Sequence, residues 1–197
     1  MFMQPLDDAT HPFWEFSLRV YGSEGVAEAC LALQDERGAD VNMVLYCCWV
    51  GASGGGALES RLLGRAAEMV APWQDEVVGA LRAARRRLKR GFEGIPKDRT
   101  EALRKSVAAI EIEAEHAEQI LLAKAFPPPR PTGGAPGQRA ADAAANLVAY
   151  LRQLAKTPDT GQCGHLRTIL AACFPDLGEN TTTRLLEEAL AGGAGGA

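Results

Sequence analysis

The amino-acid sequence predicts an all-α protein, a helical bundle of five or six helices with a smaller C-terminal helical appendage. Three observations support this fold class. No segment shows the two-residue alternation of apolar and polar side chains that marks a half-buried strand. Apolar residues recur instead at spacings of three and four, as on one face of a helix. Glycine, proline and capping residues separate these segments, so we interpret the chain as a series of helices.

Start and stop residues bound the first two helices. Pro12 occupies a first-turn position, and Gly22 ends the first helix. Ser23 is a suitable N-cap for a second helix over 24–37, which Gly38 ends.

The third helix follows an Asp40 cap and has the sequence VNMVLYCCWVGA. It is apolar nearly all round, which is not typical of a surface helix. We therefore expect it to be the central helix of the bundle. The residues expected to be among the most buried are Val44, Leu45, Cys48 and Trp49.

Three helical segments follow a flexible turn at 51–56. After a helix over 57–70, Pro72 is predicted to start a new helix that Gly91 stops. Asp98 and Glu101 form a capping signature for a helix that runs to about residue 125. The predicted buried stripe of the Pro72 helix is Trp73, Val77, Leu81, Ala84 and Leu88. In the long helix a heptad seam is predicted at Leu103, Val107, Ile110, Ala114, Ala117 and Leu121.

The chain divides into five parts by composition. Residues 126–139 read FPPPRPTGGAPGQR, a Pro/Gly-rich linker. The helices beyond it are short and carry few large apolar residues, so we expect them to dock on the bundle. The five predicted parts are a disordered N-terminus at 1–10, the bundle at 11–125, the linker at 126–139, the appendage at 140–191 and a disordered tail at 192–197.

Composition favours a cytoplasmic protein. The net charge is -4, and the five cysteines form no C-x-x-C pair. An odd number of cysteines in a chain large enough to fold without staples indicates reduced thiols. The first residues carry Asp7 and Asp8 where a signal peptide carries basic residues. The longest apolar run, residues 41–52, is shorter than the roughly 20 residues that span a membrane, so we expect no membrane association.

Four segments resemble a known family. They are the F-W-E-F-S segment at 13–17, the G-V segment from Gly25 through C-L-A-L-Q-D at 30–35, D-V-N at 40–42 and A-P-W at 71–73. Read together, they resemble an uncharacterised bacterial family of small helical proteins, known as a domain of unknown function, over roughly residues 11–125. The resemblance implies a fold unit and a bacterial cytosolic setting. It implies no reaction.

The candidates for metal or redox chemistry lack the partners that such chemistry needs. Glu113 and His116 have the i, i+3 spacing of di-iron bundles, but no second E-x-x-H motif occurs. Glu111, Glu115 and Glu118 crowd around this pair, and a solvated acidic helix face is the favoured interpretation. The vicinal thiols Cys47 and Cys48 are predicted to pack in the core. No nucleophile elbow, phosphate loop or dinucleotide motif is present, so we predict no catalytic, cofactor or metal site.

The strongest non-random feature is the distribution of charge. Residues 1–60 contain nine acidic and two basic side chains, whereas residues 82–105 contain ten basic and three acidic ones. A basic helix of this kind binds either phosphate groups or acidic protein surfaces. We favour pairing with acids such as Glu24, Glu28, Asp35 or Glu36, within the chain or across a dimer. The candidate anion- or partner-binding patch is Arg82, Arg85, Arg86, Arg87, Lys89 and Arg90.

The sequence therefore predicts a non-catalytic, cytosolic helical interaction module that binds a protein partner or itself as a homodimer. The alternative is an accessory protein that binds nucleic acid or another anionic ligand through residues 82–90. A third class, a redox or metal enzyme that uses Glu113, His116 or Cys47, has the least support.

Overall fold

A computed structural model describes residues 11–127, 134–154 and 159–192. All regular structure in these ranges is helical, which confirms the predicted all-α class. A π-helical turn at Gln74–Val78 joins the fourth and fifth helices, and a short 3-10 helix spans Pro175–Leu177. The α-helices are α1 Pro12–Tyr21, α2 Val26–Arg37, α3 Val41–Ala52, α4 Ser60–Trp73, α5 Gly79–Lys89, α6 Lys97–Ala125, α7 Pro136–Leu154, α8 Thr160–Cys173 and α9 Glu179–Gly192.

Helix α3 lies at the centre of the molecule. Its N-cap Asp40 accepts a hydrogen bond from the backbone N–H of Asn42, at 2.8 Å. Every residue from 42 to 51 is buried, including the polar Asn42. The predicted burial of Val44, Leu45, Cys48 and Trp49 is confirmed, and Trp49 is the most exposed of the four at 8%.

Helix α7 packs closely against α3. Three small buried residues of α7, Ala140, Ala143 and Ala144, face the core. A Cβ atom on Gly51 would lie only 2.4 Å from the backbone nitrogen of Ala143, so glycine is needed where the two helices meet. The buried Asn146 of α7 also accepts from Leu58 N and donates to the Cys47 carbonyl, which joins α7 to α3 and to the glycine-rich loop after it.

Helices α7, α8 and α9 contribute to the same hydrophobic core as α1–α4. Arg37 of α2 donates to Gln162 of α8 and to the Leu151 carbonyl of α7. The hydroxyl of Tyr150 in α7 accepts from the backbone N–H of Asp40, at 2.9 Å. The side chains that follow residue 136 therefore hold both ends of α3.

The structure corrects two predicted boundaries near the linker and tail. Helix α7 begins at Pro136 rather than at 140, because proline at the first helical position starts a helix instead of breaking one. Helix α9 continues to Gly192, the first residue of the predicted tail. The predicted disorder at 1–10 and 193–197, and linker residues 128–133, lie outside the described residues. The division of the chain at the linker stays a prediction.

The predicted break at Pro72 is wrong. Pro72 lies inside α4, and the π-helical turn Gln74–Val78 follows it directly. The extra residue that a π-turn inserts rotates the following helix relative to a regular α-helix. Val78 is therefore buried where Val77 was expected, and α5 has no buried residue.

Within the described ranges, no helix combines the length and the apolar character needed to cross a bilayer.

Gly51→Ala should destabilise the protein by about 3 kcal/mol, because the new methyl group would meet backbone atoms of Ala143 and force α3 and α7 apart. Gly64→Ala is the matched control. Its Cβ would lie 3.5 Å from the flexible end of Gln153, and alanine favours helix over glycine by about 1 kcal/mol. Urea unfolding of both variants would measure the difference. Equal effects of the two substitutions would contradict the close approach of α3 and α7.

Candidate functional site

Helix α6 turns a polar face toward the protein and much of its apolar seam toward solvent. Its buried side chains include Glu111, Glu118 and Gln119. Two residues of the predicted seam, Leu103 and Ile110, are 56% and 54% exposed. The heptad prediction is therefore wrong about the inward face, since only Ala114 of the seam is buried.

Arginines of α5 explain why acidic residues of α6 are buried. Arg82 donates to Glu111 at 3.1 Å and to Glu115 at 2.9 Å. Arg85 donates from two nitrogens to the two carboxylate oxygens of Glu111. Arg82 also donates to Gln34 of α2, at 2.8 Å. The network joins three helices.

These contacts control the charge of the glutamates. Burial alone would raise the pKa of Glu111, but the hydrogen bonds and charges of Arg85 and Arg82 hold it below its ordinary value. Glu115 has a raised pKa because burial outweighs its contact with Arg82. Glu111 is thus the ionised centre of the network.

The basic helix is partly covered and partly open. The side chain of Arg82 is 13% exposed, whereas that of Arg86 is 54% exposed and lies 3.6 Å from Asp35. Arg87 donates to the Gly91 carbonyl and lies over the ring of Phe92. Lys89 and Arg90 are exposed.

The closest acidic partners of the patch are on α6 and were missed by the sequence analysis. Of the four acids proposed there, Asp35 contacts the patch, through Arg86. The signal for Glu111 and Glu115 was present, because α5 and α6 are joined by a short loop and such helices pack side by side. The prediction of a solvated acidic face was wrong for Glu111 and Glu118, which are 5% and 0% exposed.

A second buried acidic group lies next to this network. The carboxyl groups of Asp40 and Glu118 lie close enough for each to influence the pKa of the other. If both were ionised, neither oxygen of Glu118 would have a hydrogen-bond donor in the described part of the chain. Burial and the neighbouring Asp40 raise the pKa of Glu118 to about 10. Glu118 is therefore protonated at neutral pH.

Asn42 and Gln119 connect this carboxyl pair to the surface. Gln119 Nε2 donates to Asn42 Oδ1 at 2.8 Å, and both residues line a cleft of about 500 Å³. The cleft lies between α1, α2, α3, α5 and α6, with Arg82, Arg85, Glu111 and Glu115 along one side. This cleft and the charges around it are the candidate functional site.

The structure does not bring the predicted metal candidates together. His116 stacks on Trp14 with ring centroids 4.2 Å apart, while Glu113 is exposed. Across the ranges that the structure describes, no three or more His, Cys, Asp or Glu residues are grouped so as to hold a metal ion.

Cys47 and Cys48 are fully buried, which confirms their predicted place in the core. A hydrogen bond with Cys173, together with burial, raises the pKa of Cys48 well above its ordinary value. Burial likewise raises the pKa of Cys47. Both thiols are therefore protonated and poorly reactive at neutral pH.

Comparison with known proteins places the cleft inside a recognised unit. A family model described as a protein of unknown function (DUF2390) matches residues 12–122, more than half of the chain. The chain belongs to this family. The predicted resemblance to a family of unknown function is thereby confirmed. The DUF2390 match includes every element that lines the cleft and both carboxyl groups of the buried pair. No curated protein and no solved structure matches the chain.

Glu118→Gln should change how stability depends on pH. The folded pKa of Glu118 is raised above its unfolded value, so its stabilising contribution is complete below about pH 4.5 and is lost as pH rises toward about 10. Glutamine carries no charge at any of these pH values, so the variant does not lose this stability. Its free energy of unfolding should exceed that of the wild type by about 1–3 kcal/mol between pH 5 and pH 8. Urea unfolding at several pH values would measure it. Glu113→Gln is the control, on the exposed face, and its stability should depend on pH as that of the wild type does. A Glu118→Gln variant whose stability also followed the wild type at every pH would contradict a protonated Glu118.

Arg82→Met should destabilise the protein by about 2–3 kcal/mol, because Glu115 loses its ion-pair partner and Glu111 loses one of two. Arg86→Met is the control. Its side chain is more than half exposed, and its single contact at 3.6 Å should contribute less than about 1 kcal/mol. Thermal or urea unfolding compares the two. A loss as large for Arg86→Met would show that the network has no special role.

Proposed function

We propose that this DUF2390 protein is a non-catalytic interaction module that self-associates through the outer face of α6. The observation that carries the proposal is the exposure of apolar side chains along that face. Leu103, Ile110 and Leu121 are 56%, 54% and 38% exposed. Burying such side chains against a partner stabilises a complex, since each fully buried leucine or isoleucine contributes about 1.5–3 kcal/mol.

The hairpin formed by α5 and α6 is poorly covered by the rest of the protein. Helix α5 has no buried residue, and Thr100 is the only buried residue between 97 and 110. The loop that joins the helices adds Phe92 and Ile95, which are 39% and 47% exposed. In this proposal the α5–α6 hairpin is the part of the predicted bundle at 11–125 that serves as a contact surface.

The spacing and the charges favour a second copy of the chain as the partner. Leu103, Ile110 and Ala117 are seven residues apart and form one stripe, which fits a helix of the same spacing. Residues 97–105 contain four basic and two acidic side chains, whereas the exposed charged residue among 111–118 is Glu113. Two α6 helices that pair antiparallel about a two-fold axis bring the basic first half of one copy opposite the half of the other copy that carries the exposed Glu113.

The alternative function, nucleic-acid binding, has less support. The three nitrogens of Arg82 donate to Glu111, Gln34 and Glu115, and two of the three nitrogens of Arg85 donate to Glu111, so these arginines add little to a surface that tracks a phosphate backbone. The remaining exposed cations, Arg86, Lys89 and Arg90, offer few contacts, and affinity rises with the number of phosphates neutralised.

A cytoplasmic setting belongs to the proposal, since the buried thiols Cys30 and Cys48 form no disulfide.

The wild type should form a dimer of the 21.0 kDa chain at micromolar concentration, as measured by sedimentation equilibrium. The double variant Leu103→Lys with Ile110→Lys should be monomeric, because two lysines replace the centre of the apolar stripe. Leu154→Lys is the matched control. It also replaces an exposed apolar side chain, on α7, and should stay dimeric.

A monomeric wild type, or an unchanged double variant, would contradict self-association through α6. The same protein should bind duplex DNA and RNA no tighter than about 10⁻⁴ to 10⁻⁶ M at physiological salt. Submicromolar binding that weakens steeply with salt would favour the nucleic-acid alternative instead.

A further inference from the structure

The cleft has unpaired hydrogen-bonding groups among the residues that line it. Ser17 and Gln119 are each 3% exposed, and both line the cleft. Ser17 Oγ and Gln119 Oε1 have no hydrogen-bond partner in the part of the chain that the structure describes. A buried polar atom without a partner costs about 1–3 kcal/mol, so a ligand that supplies the partner gains affinity.

Two guanidinium groups line the same cleft, and each has hydrogen-bond donors that are not paired. Arg85 donates from Nε and Nη2 to Glu111, and Arg104 donates from Nε and Nη2 to Glu101. The Nη1 group of each has no partner among the described residues. The two side chains are 31% and 27% exposed, and their charges repel each other. An anion between them relieves this repulsion, and a carboxylate matches the geometry of the guanidinium group.

The rest of the lining is apolar. It includes side chains that are unusually exposed for their type, such as Leu18 at 56% and Ile112 at 51%. Trp14 of α1 and Leu45 of α3 also line the cleft. The volume of about 500 Å³ is within the range of small-molecule sites, roughly 300–1,000 Å³, and such sites combine an apolar body with a few polar groups.

We propose that this cleft binds a small amphipathic carboxylate that carries a second hydrogen-bonding group. The carboxylate binds Arg85 and Arg104, the hydrocarbon body lies against Trp14 and Ile112, and the second group bonds to Ser17 or Gln119. Among the charged residues of the lining, Arg82, Arg85 and Arg104 outnumber Glu111 and Glu115, which favours an anion over a cation. The cleft does not include Leu103 or Ile110, so this site is independent of self-association through α6.

The test uses ω-hydroxy fatty acids of six, eight and ten carbons, with the matched fatty acids and primary alcohols as comparison probes. Binding is followed by tryptophan fluorescence, to which Trp14 contributes, and by the shift in melting temperature. The best-bound hydroxy acid should bind several-fold more tightly than its matched fatty acid, and at least tenfold more tightly than the alcohol. Equal binding of all three classes, or no binding at millimolar concentration, would overturn the proposal.

Variants separate the two ends of the ligand. Arg104→Met should weaken both acids at least tenfold and leave the alcohol unchanged, whereas Arg99→Met, an exposed arginine on the same helix, should change neither. Ser17→Ala should remove the advantage of the hydroxy acid without lowering stability, because the hydroxyl has no partner in the unliganded protein. An effect of Arg99→Met as large as that of Arg104→Met would overturn the site. The hydroxy acid should still bind to the Leu103→Lys, Ile110→Lys double variant. The binding test can therefore fail or succeed independently of the test for the dimer.

Discussion

The contact of Arg82 and Arg85 with Glu111 decides which face of α6 points into the protein. Glu111 is almost fully buried, and a carboxylate in that position is stable as an anion only when cations are fixed beside it. Two guanidinium groups of α5 supply that charge and most of the hydrogen bonds. Net stability from buried ion pairs is small, but breaking one is costly, so the network acts mainly to select one packing of α5 against α6.

Several other features depend on that choice. With Glu111, Glu115 and Glu118 turned inward, the apolar residues of α6 at 103 and 110 face solvent. The same rotation places polar side chains of α6 along one wall of the cleft, opposite Trp14 and Tyr21 of α1 and Leu31 of α2. The exposed stripe and the mixed polar and apolar cleft are therefore two consequences of one arrangement of charges.

Buried polar groups destabilise the interior, and tight packing elsewhere must offset their effect. The buried, protonated Glu118 and the unpaired atoms of Ser17 and Gln119 all lie in or next to the region where α3 meets α6. Helix α3 can tolerate them because its opposite side packs tightly on the alanines of α7, with Gly51 at the point of closest approach. Stability comes from the α3–α7 side, and the polar groups collect on the α3–α6 side, where the DUF2390 match and the cleft coincide.

The sequence by itself determined the helical class, the limits of α1, the Asp40 cap and the central position of α3, because these follow from local spacing, capping and an apolar segment that has to be surrounded. It also identified the family and the basic helix. The tertiary structure decided the rest. The π-turn after Pro72 buried Val78 in place of Val77, and the inward face of α6 depended on arginines of another helix. Periodicity shows where apolar residues lie on a helix, but a carboxylate becomes a core residue only when a distant chain segment supplies its counter-charge.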